Sequence, residues 1–535
     1  MFPPDSSLVI PCILHEDEHL LVVNKPPGVN THAPSPYAGE GIYDWLRHRE
    51  PRWASLAIIH RLDKETSGVM VFGKTPLANR SLTEQFTARE VRKRYFLLTD
   101  RPIKRNEFTV KSDIRRTGDK YTSGPGGEGA ETHFKVVDQE SGSEKHLLVQ
   151  AEPHTGRTHQ IRVHAAESGF PILGDTLYGG TSATRVCLHA AELQFMHPAT
   201  GKECAFSAKA DFSADRRGPL IEESETNAFR LIHGASDGWP GWYVERLGDF
   251  LLSQSEQLLT PTQQSELAAL LRAHAARGAY HKLLNRQVRK TASADASPTL
   301  VAGIAAPERF EIRENGVRYE LSFSEGYSVG LFLDQRDNRR RCLTQHIAAS
   351  FPLLASQTPD LRPELLNCFA YTCGFSVCAA LGGMRATSLD LSKKYLEWGK
   401  RNFALNGLDP KEHDFIYGDT FDWLRRLAKK GRVFDVVVLD PPTFSQSKES
   451  GVFRAAKDYG ELVKAALGVL RPNGVLLAST NAADWPPEAF VDEVRSAARL
   501  LGRRIQHEHF VPQPMDFPIT RDEPGYLKTL WLRAG

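Results

Sequence analysis

The chain has 535 residues, 41% of them hydrophobic and 25% charged, with a formal net charge of +2. That length exceeds what one hydrophobic core can hold and predicts about three or four domains of ordinary globular composition. No apolar run approaches the roughly twenty residues of a membrane span, the amino-terminal segment lacks a basic stretch followed by a long apolar core, and the seven cysteines lack paired zinc-ligand spacing, so a reduced cytoplasmic protein with no membrane partner and no metal site is expected.

Residues 13–24, ILHEDEHLLVVN, predict a strand, a charged turn and a second strand, halted at Lys25-Pro26-Pro27-Gly28, where the prolines cannot continue a ladder. The stretch His60-Arg61-Leu62-Asp63 runs on through Lys64-Glu65-Thr66-Ser67-Gly68 and sets a carboxylate beside a cation on a glycine-terminated turn. The apolar run Gly68–Gly73 then predicts a buried strand that fixes Asp63 at its end. An acid next to an arginine is most often a solvated pair that contributes little, so this stretch gains weight only from what lies elsewhere. Helical spacing covers 76–88, and Tyr95-Phe96-Leu97-Leu98 is strand-like, which lets Tyr95 face a cleft. The basic runs Arg89–Arg94 and Arg101–Arg105 flank that strand, either as a phosphate-tracking stripe or as the solvated ends of a hairpin.

The glycine-rich segment 118–131 predicts a flexible loop. A strand over 145–151 leads into Pro153-His154-Thr155-Gly156-Arg157-Thr158-His159-Gln160-Ile161-Arg162-Val163-His164, where basic and hydrogen-bonding side chains crowd. After Leu173-Gly174-Asp175, residues 187–195 predict a further strand, and the polar run SADRRGP marks a boundary near residue 215. A second unit over 225–325 carries strands, an Ala/Leu helix ending near Ala276 and the irregular segment 289–298; its aromatics are expected to pack its own core before they stack on bases.

From 326 to 535 strands and helices alternate. Leu365–Phe369, Ala386–Asp390 and Phe434–Leu439 read as strands, with helices starting at Phe375 and Tyr395, and such alternation predicts a doubly wound sheet with its ligand at the carboxyl ends of the strands. Asp390 falls where a cofactor ribose would sit, Gly418-Asp419 closes a strand, and the apolar run ends in Asp440-Pro441-Pro442-Thr443-Phe444.

Over nearly all of 13–212 the chain resembles the RluA-type pseudouridine synthases, through Asn24-Lys25-Pro26-Pro27-Gly28, the His60–Asp63 stretch, Gly156–His164 and Gly169–Asp175. The resemblance implies that Asp63 starts cleavage of a uridine glycosidic bond, after which the freed base turns and rejoins the sugar through carbon, with no cofactor. It implies a role for Arg162 in pairing with Asp63, for Tyr95 in stacking on uracil and passing a proton, for Arg61 in filling the place of the flipped base, and for Leu173 in packing beneath that base. Many relatives begin with a small S4 RNA-binding domain, whereas here the motifs begin at once, so the downstream units are expected to help present RNA.

Residues 326–535 resemble class I S-adenosylmethionine-dependent rRNA large-subunit methyltransferases, on Gly330-Leu331-Phe332-Leu333-Asp334-Gln335-Arg336, Asn367 to Gly374, Asp390, Gly418-Asp419 and Asp440–Ser445. The resemblance implies S-adenosylmethionine as cofactor. Asn367, Phe369 and Gly374 would wrap its methionine end, Asp390 would hold the ribose, Asp419 would lie near adenine, Asp440 would serve both cofactor and catalysis, and Phe444 would meet RNA. Cys373 stands where relatives often carry glycine. Methylation at cytosine C5 needs a thiolate, yet the position after the late strand 474–480 reads Asn481-Ala482, and no cysteine follows Cys378; a ring nitrogen such as guanine N7 needs only alignment.

The expected architecture is therefore an α+β pseudouridine synthase domain with a mixed, largely antiparallel sheet (1–215), a small β-rich accessory domain (225–325) and an α/β doubly wound methyltransferase domain (326–535). The expected function is a two-headed enzyme acting on RNA, foremost ribosomal RNA or its precursor, with guanine N7 as the favoured methyl acceptor. Alternatives are a tRNA uridine as the first substrate, cytosine C5 as the methyl acceptor, and an RNA-binding assembly factor with a silent methyltransferase fold. Oligomeric state is not legible.

Overall fold

The computed structural model describes residues 10–139, 146–213, 215–284, 297–326, 328–355, 362–447 and 451–535. They divide into two compact units, one drawn from 1–33, 40–47 and 55–222, the other from 34–39, 48–54 and 223–535. The amino-terminal segment through residue 9, Lys145, Lys448 and most of the irregular segment 289–298 lie outside the described residues.

The first unit is built on an eleven-stranded sheet. Its long path uses β1 (Ile13–Glu16), β2 (Leu20–Lys25), β3 (Ser67–Gly73), β4 (Arg92–Thr99), β5 (Glu107–Thr117), β6 (Lys120–Ser123), β7 (Glu128–Gln139), β8 (Leu147–Pro153) and β9 (Leu188–Met196), in the spatial order β1-β2-β3-β9-β4-β8-β7-β5-β6. Pairing is antiparallel along this path except between β3 and β9, which run parallel. Period-two burial divides the core. Leu20, Val22, Val69 and Val71 pack with Ala78 and Leu82 of helix α1 (Pro76–Thr87), while Leu97, Phe134, Val149 and Ala151 pack with Ile161 and Ala165 of helix α2 (Gln160–Glu167). Helix α1 starts where the sequence signals it: Pro76 sits at the first turn, and the Thr75 side chain accepts from the Ala78 amide.

One expectation is corrected here. The glycine-rich segment 118–131 is mostly paired backbone: Thr117 faces Lys120 across a two-residue turn through Gly118 at φ +62°, and β7 begins at Glu128. Glycine at positive φ was the right local reading, but in this position it closes a hairpin.

In the second unit a five-stranded sheet, Ala228–His233, Trp242–Leu247, Phe250–Ser255, Gly278–Leu283 and Thr299–Gly303, pairs its strands in chain order. Trp242 is fully buried there and donates to Ser253 Oγ at 2.7 Å, so it is a core residue. A seven-stranded sheet follows, of β10 (Glu364–Cys368), β11 (Arg385–Asp390), β12 (Asp414–Tyr417), β13 (Phe434–Leu439), β14 (Leu470–Thr480), β15 (Ile505–Val511) and β16 (Lys528–Ala534). Its order is β12-β11-β10-β13-β14-β16-β15, parallel except that β16 runs against both its neighbours. The order reverses between β10 and β13, which opens the crevice at the carboxyl ends of these strands where doubly wound folds take ligands. One hydrophobic cluster runs from Ala228 and Phe250 through Tyr319 and Leu365 to Trp531, so the smaller sheet and the doubly wound sheet share apolar packing.

Candidate functional site

In the first unit the Asp63 turn is held from three sides. Thr31 Oγ1 donates to the Leu62 carbonyl at 2.9 Å and accepts from the Leu62 amide at 3.2 Å. Lys25, with no exposed surface, donates to the carbonyls of Val29, Pro26 and Lys64 at 2.7, 3.1 and 3.2 Å, and burial lowers its pKa to about 7. His60 accepts from the Val71 amide through Nε2 at 3.1 Å and stacks on Phe86 at 4.7 Å; burial lowers its pKa to about 3, so it is neutral and structural. The turn then needs a glycine, because Gly68 has φ +121° and a Cβ there would lie 2.2 Å from the Ala190 carbonyl oxygen on β9.

The run from Thr155 to Arg162 is fixed by one amide. Gln160 Oε1 accepts from Thr155 Oγ1 at 2.6 Å and from the Arg157 amide at 3.0 Å, while Nε2 donates to the Glu131 carbonyl and to Thr132 Oγ1, each at 2.9 Å. Helix α2 thereby brings Arg162 and His159 to Asp63. A cleft of about 500 Å³ results, lined by Arg61, Asp63, Tyr95, His159 and Arg162 among others, with Arg89, Lys93 and Arg157 adding positive charge. Arg61 is exposed in it. Burial first, and then the charge of Asp63, push the Tyr95 hydroxyl far above its ordinary pKa, so the phenol keeps its proton.

Arg162 departs from the simplest expectation. Its bidentate partner is Asp175, through Nε at 2.6 Å and Nη2 at 2.7 Å, while Nη1 lies 3.9 Å from Asp63. Burial works against the guanidinium charge, but the hydrogen bonds and charge of Asp175 outweigh it and raise its pKa. Asp175, only 1% exposed, is thus the anchor that aims Arg162 at Asp63. Leu173 is not on the cleft lining; it lies in the core cluster against which Tyr95 packs. Sequence reasoning missed Asp175 and His159 as site residues, although both stood within the motifs; the signal was the density of polar residues around His159 and a lone acid closing an apolar run at Asp175.

In the second unit, Asp390 ends β11, with Oδ2 accepting from the Tyr371 amide and Oδ1 from the Ser392 amide, both at 2.8 Å. Burial raises its pKa. The loop after β10 turns through Phe369, Tyr371 and Cys373, all at positive φ (58°, 47° and 65°), a costly backbone for non-glycine residues that concentrates at ligand sites. Cys373 thus holds a left-handed backbone that glycine adopts at least cost. Gly399 on the helix Lys393–Leu405 makes room for its sulfur, since a Cβ there would lie 2.2 Å from Sγ. Asn367 is buried and donates to Ser376 Oγ at 3.0 Å, Gly374 opens the next helix, and Asp419 caps the helix Thr420–Lys429 by accepting from the Asp422 amide at 3.1 Å. A sharply turned loop after β10, an acid at the end of the neighbouring β11 and a second acid after β12 fit S-adenosylmethionine, which would be held by the 367–374 loop, Asp390 and Asp419.

Asp440, just after β13, accepts from Gln335 Nε2 at 3.0 Å, and the same nitrogen donates to Ser479 Oγ at 2.8 Å. Burial first, and then the charge of Asp334, raise its pKa to about 7. Phe444 is 38% exposed nearby in sequence, on a short strand, and Phe332, 50% exposed, packs its ring 5.5 Å from Tyr371. No described helix is long and apolar enough to cross a membrane.

Comparison with known proteins matches both regions. A family model for RNA pseudouridylate synthase covers residues 19–167 and one for S-adenosylmethionine-dependent methyltransferase covers 230–533. The chain is 32% identical over 332 residues to the ribosomal RNA large subunit methyltransferase I of Aeromonas salmonicida, covering 62% of this chain and 80% of that protein. It is 32% identical over 340 residues to the ribosomal RNA large subunit methyltransferase of Deinococcus radiodurans, covering 61% and 78%. Among solved structures, human RNA pseudouridylate synthase domain containing 4 matches at 27% identity and TM-score 0.31, covering 37% of this chain and 88% of that one. The protein is an enzyme with two activities, one of them dependent on S-adenosylmethionine. The chain belongs to the S-adenosylmethionine-dependent methyltransferase family and carries an RNA pseudouridylate synthase domain in the same polypeptide.

Proposed function

We propose that the first unit isomerises a uridine and the second methylates a guanine at N7, both in large-subunit ribosomal RNA or its precursor, in the cytoplasm. The observation that carries the first half is the meeting of Asp63, Arg162 and Tyr95 in one basic cleft. Asp63 opens the glycosidic bond, Arg162 orients it, Tyr95 stacks on the base, and Arg61 enters the stack the uridine has left. Leu173 acts from the core, by backing Tyr95.

For the second half, S-adenosylmethionine supplies the methyl group, and this chain's residues hold the acceptor in line with it. Asp440 and Gln335 receive the base, and Phe444 meets RNA beside it. Nitrogen rather than carbon is favoured because burial drives up the thiols of Cys342, Cys368, Cys373 and Cys378, the last two to about 12, which leaves them poor sources of the thiolate that C5 methylation needs. Residues 225–325 serve as an accessory domain. The ribosomal assignment draws on the names of the relatives.

The test is nucleotide mapping of total RNA from a strain lacking the gene. Loss of one pseudouridine and one 7-methylguanosine from large-subunit rRNA is expected. Loss from tRNA, or loss of 5-methylcytidine instead, overturns the corresponding half, and failure of S-adenosylmethionine to bind in a calorimetric titration removes the second.

A further inference from the structure

His159 is the residue of the cleft that the preceding reading leaves without work. It precedes helix α2 with φ +57°, a conformation uncommon for a side chain of its kind, so the backbone is held there by its surroundings. Its Nδ1 lies 2.8 Å from the Tyr178 hydroxyl, and its Nε2 lies 3.9 Å from Asp63 Oδ2. Tyr178 Oη already accepts the Tyr121 amide hydrogen at 2.9 Å, so its own proton is free to point at Nδ1. That leaves the imidazole neutral with its hydrogen on Nε2, the atom that faces Asp63. The Tyr121 and Tyr178 rings pack edge-on against the imidazole at 5.3 and 5.7 Å and hold its plane. Charged groups around it are Asp63, Arg162, Asp175 and Arg61.

We propose that His159 is a positioning residue for pseudouridine formation, locked by Tyr178 as the neutral Nε2–H tautomer so that it steers one oxygen of Asp63 and leaves the other for the nucleoside. This rests on Asp63 being the catalytic group of the first unit. A neutral donor suits the task, because a protonated imidazole would tie the carboxylate into an ion pair.

The experiment uses the full chain and unmodified large-subunit rRNA transcribed in vitro, with single-turnover pseudouridine formation and RNA binding measured separately. His159→Ala is expected to slow the single-turnover rate at least about tenfold, because a catalytic group set even slightly out of place loses rate steeply, with RNA affinity unchanged. His159→Gln, which restores an N–H near Nε2, is expected to recover most of the rate. Tyr178→Phe frees Nδ1 to take a proton, so its rate is expected to fall on acidification while the wild-type rate stays flat. A wild-type rate in His159→Ala, no rescue by Gln, or an unchanged pH profile in Tyr178→Phe overturns the proposal. Asp63→Ala run in parallel separates the two levels: if it retains activity, the reading of the first site fails, whereas activity lost there but kept in His159→Ala refutes this inference alone.

Discussion

The two units each place an aspartate at the end of a buried strand run, and the surroundings treat them oppositely. Asp63 faces a guanidinium that Asp175 anchors from behind, with a neutral imidazole at the same distance on another side. Asp440 accepts from the Gln335 side-chain amide, while Arg336 and Arg339, close in sequence to Gln335, are engaged by Asp516 and Glu314. Asp63 thus stands within reach of a guanidinium, whereas burial and the charge of Asp334 raise the Asp440 pKa to about 7, which suits hydrogen bonding to a base. The lesson is that burial and neighbouring charge, and not the residue type, set what such an aspartate can do.

Breaking the contrast at its strongest point gives the largest effect. Asp63→Ala is expected to abolish pseudouridine formation, by more than about a thousandfold, while leaving methylation intact; mapping both modifications on one RNA sample checks it, and an equal fall in methylation would mean that the units are coupled or the fold is damaged. Arg162→Ala comes next. Asp175, 1% exposed, would be left as a buried charge without its partner, and the first unit is expected to lose about 3–5 kcal/mol, read as a lowered first transition in denaturant unfolding.

The Asp440 side of the contrast is smaller and pH-dependent. With a pKa raised from 3.8 to about 7, the folded second unit keeps a proton that the unfolded chain has released, so its stability falls as pH rises from about 4 to about 7. Asp440→Asn is expected to remove that slope, leaving the variant more stable than the parent at pH 8; thermal unfolding across that range measures it. Smallest of all is Cys373→Gly, where relief of the left-handed backbone offsets the lost sulfur contact and the net change stays within about 1 kcal/mol. In that background Gly399→Ala should be tolerated, whereas alone it drives a Cβ into Sγ and destabilises; a double-mutant cycle reads the difference.

How far the sequence could be read follows from the range of the interactions. Strand β13, Phe434–Leu439, was visible because a parallel strand covered on both faces is a continuous apolar run, and helix α1 because its proline and threonine cap lie next to each other. The hairpin at 118–131 was misread because loop and turn share the same glycines and only the partner strand tells them apart. Arg162 stood out in its motif, yet its bidentate partner did not, since choosing between Asp63 and Asp175 requires the two loops in place.

By itself the sequence determined the motifs on which the two proposed sites rest, since His60–Asp63, Gly156–His164 and Asp440–Phe444 are local and are carried by residue type and spacing. The tertiary structure alone decided which charges meet. Lys25 under the Asp63 turn, Asp175 behind Arg162, His159 beside Asp63 and Gly399 beneath Cys373 are all contacts across the fold. Their energies depend on burial and on ångström-scale separation, and neither is set until the strands have paired.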